Sequence, residues 1–204
     1  MTTSPRAIRR ATTADAKAIE RILADSFQDD PPLMWIIPDP DDRRRLSPGF
    51  FRPFVDIVLA TGEAHITEGQ TGAAMWLDVD IAAAAEEDSG ELRQFLVSGI
   101  GAEYAEQFFV LDSMFSAKHP NHESHDYLLF VGVIPLVQNQ GVGGGLLSHR
   151  LVGLDEAGRA AYVEASSPRN AALYARLGFS PMGDPIKLPD GPALYPMWRP
   201  PASG

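Results

Sequence analysis

Two stretches of this 204-residue chain carry residue types that could do chemistry. The first runs Phe130-Val131-Gly132-Val133-Ile134-Pro135 and then Leu136-Val137-Gln138-Asn139-Gln140-Gly141-Val142-Gly143-Gly144-Gly145 before an apolar pattern of helical period. It reads as strand, loop and helix. The first turn of such a helix has unpaired backbone N–H groups and the positive end of the helix dipole, and glycines let an anion approach them, so the junction could hold a phosphate. The dinucleotide-binding spacing fails, because counting from Gly141 the last glycine position is Leu146. A nucleotide P-loop fails as well, because Gly145 is followed by Leu146 and Leu147 in place of Lys and Ser or Thr.

The second stretch runs Glu164-Ala165-Ser166-Ser167-Pro168-Arg169-Asn170 and on to Tyr174 and Gly178-Phe179. Asn170 and Tyr174 are four apart on an expected helix, so their side chains leave one face and would meet one ligand. Plainer readings stand beside these. The glycines could close an ordinary strand–helix unit, Tyr174 could be a core tyrosine, and Glu164 could be a solvated carboxylate.

Composition sets the bounds. With 45% hydrophobic and 22% charged residues the chain is expected to form one domain over residues 1–204, with a helical insertion over 81–118. The absence of cysteine excludes disulfides, thiolate metal sites and a cysteine nucleophile. A net charge of −10 speaks against a nucleic-acid partner. No apolar stretch has the length of a membrane span and the first residues lack a signal-like core, so no membrane association and a cytoplasmic location are expected.

In chain order, Ala7 to Ala11 reads as a strand and the next helix ends near Phe27, before the break at Asp29-Asp30-Pro31-Pro32. Leu33, Met34, Trp35, Ile36 and Ile37 then form an apolar run beside a turn, either core or the wall of a substrate pocket. The charge run from Asp41 to Arg45 reads as solvated, and Ser47-Pro48 as the start of an apolar helix ending before Gly62. Residues around His65 and Met75 form a hairpin, with His65 structural. Residues 81–118 suggest two covering helices. His119, His122 and His125 have spacings that could suit a metal, but Pro120 and the lack of a placed carboxylate favour an irregular loop, so no metal is expected. Beyond the glycine loop come a helix to Gly158, a strand to Glu164, the Asn170 helix, and two edge strands either side of the Pro189-Asp190-Gly191-Pro192 turn. The result is an α/β fold with a mixed sheet.

The spacing Gln138-x-x-Gly141-x-Gly143 resembles the acyl-CoA pyrophosphate loop of the GCN5-related N-acetyltransferases (GNAT), and Asn170, Tyr174 and Gly178-Phe179 follow at that family's spacing. Within it, the stretches around His119-Pro120, Gln138, Glu164 to Asn170 and Pro189 to Trp198 are most similar to puromycin N-acetyltransferase-type members. The resemblance implies a GNAT-like, mostly antiparallel sheet flanked by helices, acetyl-CoA as co-substrate, and direct attack by a primary amine of a small molecule in a ternary complex. It further implies that the backbone of Val131 and Val133 pairs with the pantetheine arm and that amides of Gln138, Asn139, Gln140, Gly141, Val142, Gly143 and Gly144 cradle the pyrophosphate. Asn170 would contact the cofactor, and Tyr174 would protonate the departing thiolate.

An ammonium acceptor must lose a proton before attacking, so a base is needed, with Glu164 the first candidate and Asp29 and Asp30 next. Asp29, Asp30, Met34 and Trp35 are the expected acceptor contacts. Asp126 stands where relatives often carry an aromatic residue, which leaves any acceptor contact there open. A non-catalytic acyl-CoA sensor and a protein N-acetyltransferase are the competing readings, and a homodimer is compatible with either.

Overall fold

The computed structural model describes residues 7–81 and 89–202. Strand β1 (Ile8–Arg10) is followed by helices α1 (Ala16–Ser26), α2 (Pro31–Ile36) and α3 (Pro40–Thr61). The hairpin β2 (Glu63–Thr67) and β3 (Gly72–Val79) comes next, then α4 (Ser89–Ile100) and α5 (Ala102–Ser116). Strand β4 (His125–Val133), α6 (Val142–Glu156), β5 (Ala160–Ala165) and α7 (Pro168–Arg176) follow. The short strands β6 (Ser180–Pro181) and β7 (Ile186–Lys187) precede β8 (Ala193–Arg199). The acidic, alanine-rich part of the expected insertion at 82–88 lies outside the described residues, and its two helices form as α4 and α5. No helix among the described residues is long and apolar enough to cross a membrane.

The sheet runs β1-β2-β3-β4-β5-β8-β6, with β7 pairing to β8. Every pairing is antiparallel except that of β4 with β5. Side chains alternate across a strand, so the sheet has two apolar faces and each is covered by helices. On one face Ile19, Ile22 and Leu23 of α1 pack with Phe50, Phe51, Phe54 and Val55 of α3 and with Leu96 and Phe108 of α4 and α5. On the other, Leu146, Leu147, Leu151 and Leu154 of α6 pack with Trp76, Val163, Met197 and Tyr174.

Three elements depart from the sequence expectations. Helix α3 begins at Pro40, not at Pro48, because the Asp39 carboxylate accepts from the amides of Asp41 and Asp42 and the charge run becomes its first turn. Pro48 and Pro53 therefore sit inside a helix. Pro53 has no N–H to give the Gly49 carbonyl, and there α4 crosses so closely that a Cβ at Gly49 would lie 2.7 Å from the Gly99 oxygen. Within the charge run, Arg43 is buried and donates to the carbonyls of Gln28, Ile37 and Pro38, which its charged neighbours concealed. The apolar run at 33–37 forms α2, with Leu33, Ile36 and Ile37 in the core. Finally, β8 is not an edge strand: it lies between β5 and β6.

Only His125, Asp126 and Tyr127 of β4 pair with β5, opposite Ala160, Ala161 and Tyr162. Asp126, 2% exposed, fastens that end. It accepts from Arg150 on α6 at 2.6 Å and from Arg159 at 2.6 Å. Arg150 also pairs with Glu63 at 3.0 Å, which ties the second strand into the same network. Asp126 thus holds the paired ends of β4 and β5 and is no acceptor contact. Asp126→Ala, which leaves two guanidinium groups without their shared carboxylate, is expected to lower unfolding free energy by about 3 kcal/mol in urea titration.

Candidate active site

Beyond Tyr127 the two central strands separate. The pairing of β3 to β4 shifts register between Met75 and Trp76: Met75 faces Phe130 and Trp76 faces Leu128. Leu129 is therefore the extra residue of a bulge, which bends β4 and increases its twist. The Ile134 amide donates to the Thr71 carbonyl at 2.9 Å, toward β3. Backbone groups alternate sides along a strand, so those of Val131 and Val133 turn the other way, toward the gap where β5 has diverged. The gap opens into a cleft of about 2010 Å³.

Below the gap, α6 starts at Gly141, which has φ 83° and offers no side-chain cap. The first helical hydrogen bond runs from the Gly145 amide to the Gly141 carbonyl at 2.9 Å. The amides ahead of it are the donors that a helix start leaves for an outside acceptor. A Cβ at Gly143 would meet only Val133, at 3.6 Å, so internal packing does not require a glycine there. The empty side-chain position keeps backbone amides open to the cleft, which fits a diphosphate. Asn139 adopts φ 62° and pairs with Arg169 at the start of α7. Arg169 also lines the cleft beside the loop, a cation at the anion site that the sequence reading passed over although it adjoins Asn170. Gln138 turns its amide back onto the Val133 carbonyl at 2.9 Å and so fixes the loop entrance. Gln138, Asn139, Gly141, Val142, Gly143 and Gly144 line the cleft, whereas Gln140 does not.

Helix α7 is started by Ser167, whose hydroxyl accepts from the Asn170 amide at 3.2 Å. Asn170 donates through Nδ2 to the Ser166 hydroxyl at 2.9 Å, and one turn on Tyr174 is 5% exposed. Both line the cleft. Burial raises the Tyr174 phenol, and the nearby Asp30 carboxylate adds to the effect, so it stays protonated at neutral pH. Asp30 itself is pushed up to about 6 by burial, against the opposing pull of the Ser166 hydroxyl and the Leu33 amide.

Asp29, Asp30, Pro31, Leu33 and Ile36 line the cleft; Met34 and Trp35 do not. Met34 is 43% exposed. Trp35 faces away to donate to the Pro189 carbonyl at 2.9 Å, and it packs on Gly191 so closely that a Cβ there would lie 2.5 Å from its ring. Those two positions of the expected acceptor set are thereby corrected: helical period turns them off the face that carries Leu33 and Ile36.

Glu164 stands on β5 where it has left β4. Its carboxyl is pushed up to about 7 by burial, with the nearby Tyr127 and Tyr162 hydroxyls holding the shift down. Even so, Glu164 Oε1 and the Tyr162 hydroxyl each lack a partner in hydrogen-bond geometry, although both are buried. A buried carboxyl that titrates near neutrality and has an unfilled acceptor is suited to take a proton from a substrate. The wall facing it is aromatic, with Phe27, Phe51, Phe54 and Phe130 packed edge to face at 5.2–5.7 Å. The three histidines do not converge, since His122 packs on Trp198 and His119 on His125, and no group of three His, Cys, Asp or Glu able to hold a metal occurs among the described residues.

No known family's sequence profile matches the chain. Solved structures do. A Corynebacterium glutamicum protein described as "histone acetyltransferase HPA2 and related acetyltransferase" is 29% identical over 97% of both chains, with TM-score 0.73. The fold is that of the GCN5-related N-acetyltransferases. Arylalkylamine N-acetyltransferase 2 from Aedes aegypti is 13% identical, covering 96% of this chain and 99% of its own, at TM-score 0.69. A Drosophila melanogaster polyamine N-acetyltransferase is 15% identical, covering 95% and 99%, at TM-score 0.59. The chain shares its architecture with these acetyltransferases.

The raised Glu164 carboxyl links stability to pH. The unfolded carboxyl releases its proton near its ordinary value of 4.5 and the folded one at about 7. Its favourable contribution is therefore complete below 4.5 and lost as pH rises through 7. Glu164→Gln, which cannot ionise, is expected to gain about 3 kcal/mol on wild type between about pH 4 and pH 8. Denaturant midpoints at the two pH values measure it.

Proposed function

We propose that this protein transfers the acetyl group of acetyl-CoA to a primary amine of a small molecule, by direct attack within a ternary complex. The observation that carries the reading is the meeting, in one cleft, of a raised carboxyl at Glu164, a protonated phenol at Tyr174 and an uncapped glycine-rich helix start. The co-substrate supplies an activated thioester carbonyl. Amides of Gly141, Val142, Gly143 and Gly144, with Arg169 beside them, hold its diphosphate, and Gln138 and Asn139 shape the loop. Backbone groups of Val131 and the amide of Val133, whose carbonyl is held by Gln138, pair with its pantetheine arm, which takes the place of the strand partner that β5 has ceased to be.

The acceptor enters from the side of Asp29 and Asp30, where carboxylates favour a cation. Glu164 takes the proton of the ammonium, and the free amine attacks the carbonyl carbon. As the C–N bond forms and the C–S bond breaks, Tyr174 gives its proton to the leaving thiolate and is reprotonated by the proton that the new amide nitrogen sheds. Glu164 releases its own to solvent, and Asn170 steadies the cofactor. Ser166, between Asp30 and Asn170, couples the acceptor and cofactor sides of the site.

Release of free thiol from acetyl-CoA across a panel of primary amines, with arylalkylamines, polyamines and puromycin included, tests the reading. Turnover with at least one amine is expected; tight acetyl-CoA binding with turnover of none would point to a sensor. Tyr174→Phe should lower kcat by about 100-fold while acetyl-CoA affinity, read by calorimetry, is kept. Gly143→Val should do the reverse: it fills the side-chain space at the helix start and abolishes acetyl-CoA binding while leaving the melting temperature near that of wild type.

A further inference from the structure

Of the histidines that the sequence brings together, His122 lies at the surface against Trp198, with ring centroids 4.8 Å apart. His119, half-buried at the cleft wall, instead meets the buried His125. His125 is fully buried at the start of β4, and its Nδ1 lies 2.8 Å from the Glu123 carbonyl. A carbonyl oxygen only accepts, so Nδ1 carries the hydrogen and Nε2 keeps its lone pair. His119 Nε2 lies 3.1 Å from that lone pair and must be the donor. The His119 ring in turn stands edge-on to Tyr127 and to Tyr162, 5.0 Å from each, and those two rings are 5.8 Å apart. Their hydroxyls are the groups that face Glu164.

We propose that His119 and His125 are positioning residues, a neutral imidazole pair of fixed tautomer that props the Tyr127 and Tyr162 hydroxyls toward Glu164 and keeps water from the carboxyl. The proposal rests on the reading of Glu164 as the base. It does not make the pair a route for the proton, because the row ends on a carbonyl, which takes none.

Charge near the base decides whether such a prop works. Glu164 is faced by Tyr127 from β4 and by Tyr162 from its own strand, and Tyr127 also senses Asp112 from α5. His125 senses Arg159, Asp126 and His122, and His119 senses His125. Burial lowers His119 to about 4 and lowers His125 as well, so the pair stays uncharged at the pH where Glu164 exchanges its proton. A cation in that position would pull the carboxyl down and weaken it as a base.

Imidazole nitrogen NMR of the wild-type protein needs no variant. Hydrogen on His125 Nδ1 and His119 Nε2, unchanged across about pH 7–9, is expected; the opposite tautomers, or titration of either ring within that range, would overturn the proposal. Carbon NMR of the Glu164 carboxyl then follows the base directly. His119→Ala, which opens a polar space that water can fill, should lower its midpoint by about one pH unit. His119→Gln, whose amide can still donate to His125, should restore it. An unmoved midpoint in folded His119→Ala sinks the proposal, and if that variant does not fold the wild-type tautomers decide. Thiol release separates this from the function itself: a shifted midpoint without turnover of any amine removes the reaction and leaves the prop, whereas turnover with an unmoved midpoint removes the prop alone.

Discussion

Strands β4 and β5 pair over three residues and then part, and the rest of the molecule is arranged around that separation. Two forces fix it. At the joined end, Asp126 gathers Arg150 and Arg159 into a buried ion network, and helix α6 and strand β2 are drawn into it. At the parting end, the bulge at Leu129 bends β4 while β8 holds β5 along its length, from Ala161 to Ala165. A sheet interior cannot normally leave backbone groups unpaired. The gap is tolerable because it is a cleft open to water and to an extended ligand.

Each chemical group takes its character from its place in that gap. Glu164 and Tyr162 are two apart on β5, on the same side of the strand, so their polar tips crowd together where water is scarce. Burial there raises the carboxyl while the tyrosine hydroxyls hold the shift down, and the balance leaves it titrating at about 7. Tyr174 is buried by the α6 and α7 layer on one side and overlooked by Asp30 on the other, which keeps its proton on. The glycine loop is placed by chain connectivity, because β4 must turn at Pro135 into a helix that covers the sheet.

The acceptor side is built differently, from aromatic packing and a turn. Phenylalanines of α1, α3, α5 and β4 form a contiguous edge-to-face set, and such contacts fix ring orientation as well as burying area. Trp35, latched to the Pro189 carbonyl, pins α2 to the β7–β8 turn and so sets where Asp29 and Asp30 stand. The shape of this wall follows from contacts among residues far apart in sequence.

The sequence by itself determined the glycine-rich helix start, the shared face of Asn170 and Tyr174, and the order of elements apart from helix α2 between α1 and α3. All three are local: period, turn chemistry and spacing are written within a few residues. Tertiary structure decided what local pattern does not encode. It buried Arg43 within a run of charges, set β8 inside the sheet, and turned Met34 and Trp35 off the cleft. Glu164 is the first candidate base on its place in the chain alone, but packing set its environment, bringing the Tyr127 and Tyr162 hydroxyls to its carboxyl and His119 against those two rings. A carboxyl's basicity depends on how much water and which dipoles surround it, and that environment exists only after distant segments have packed.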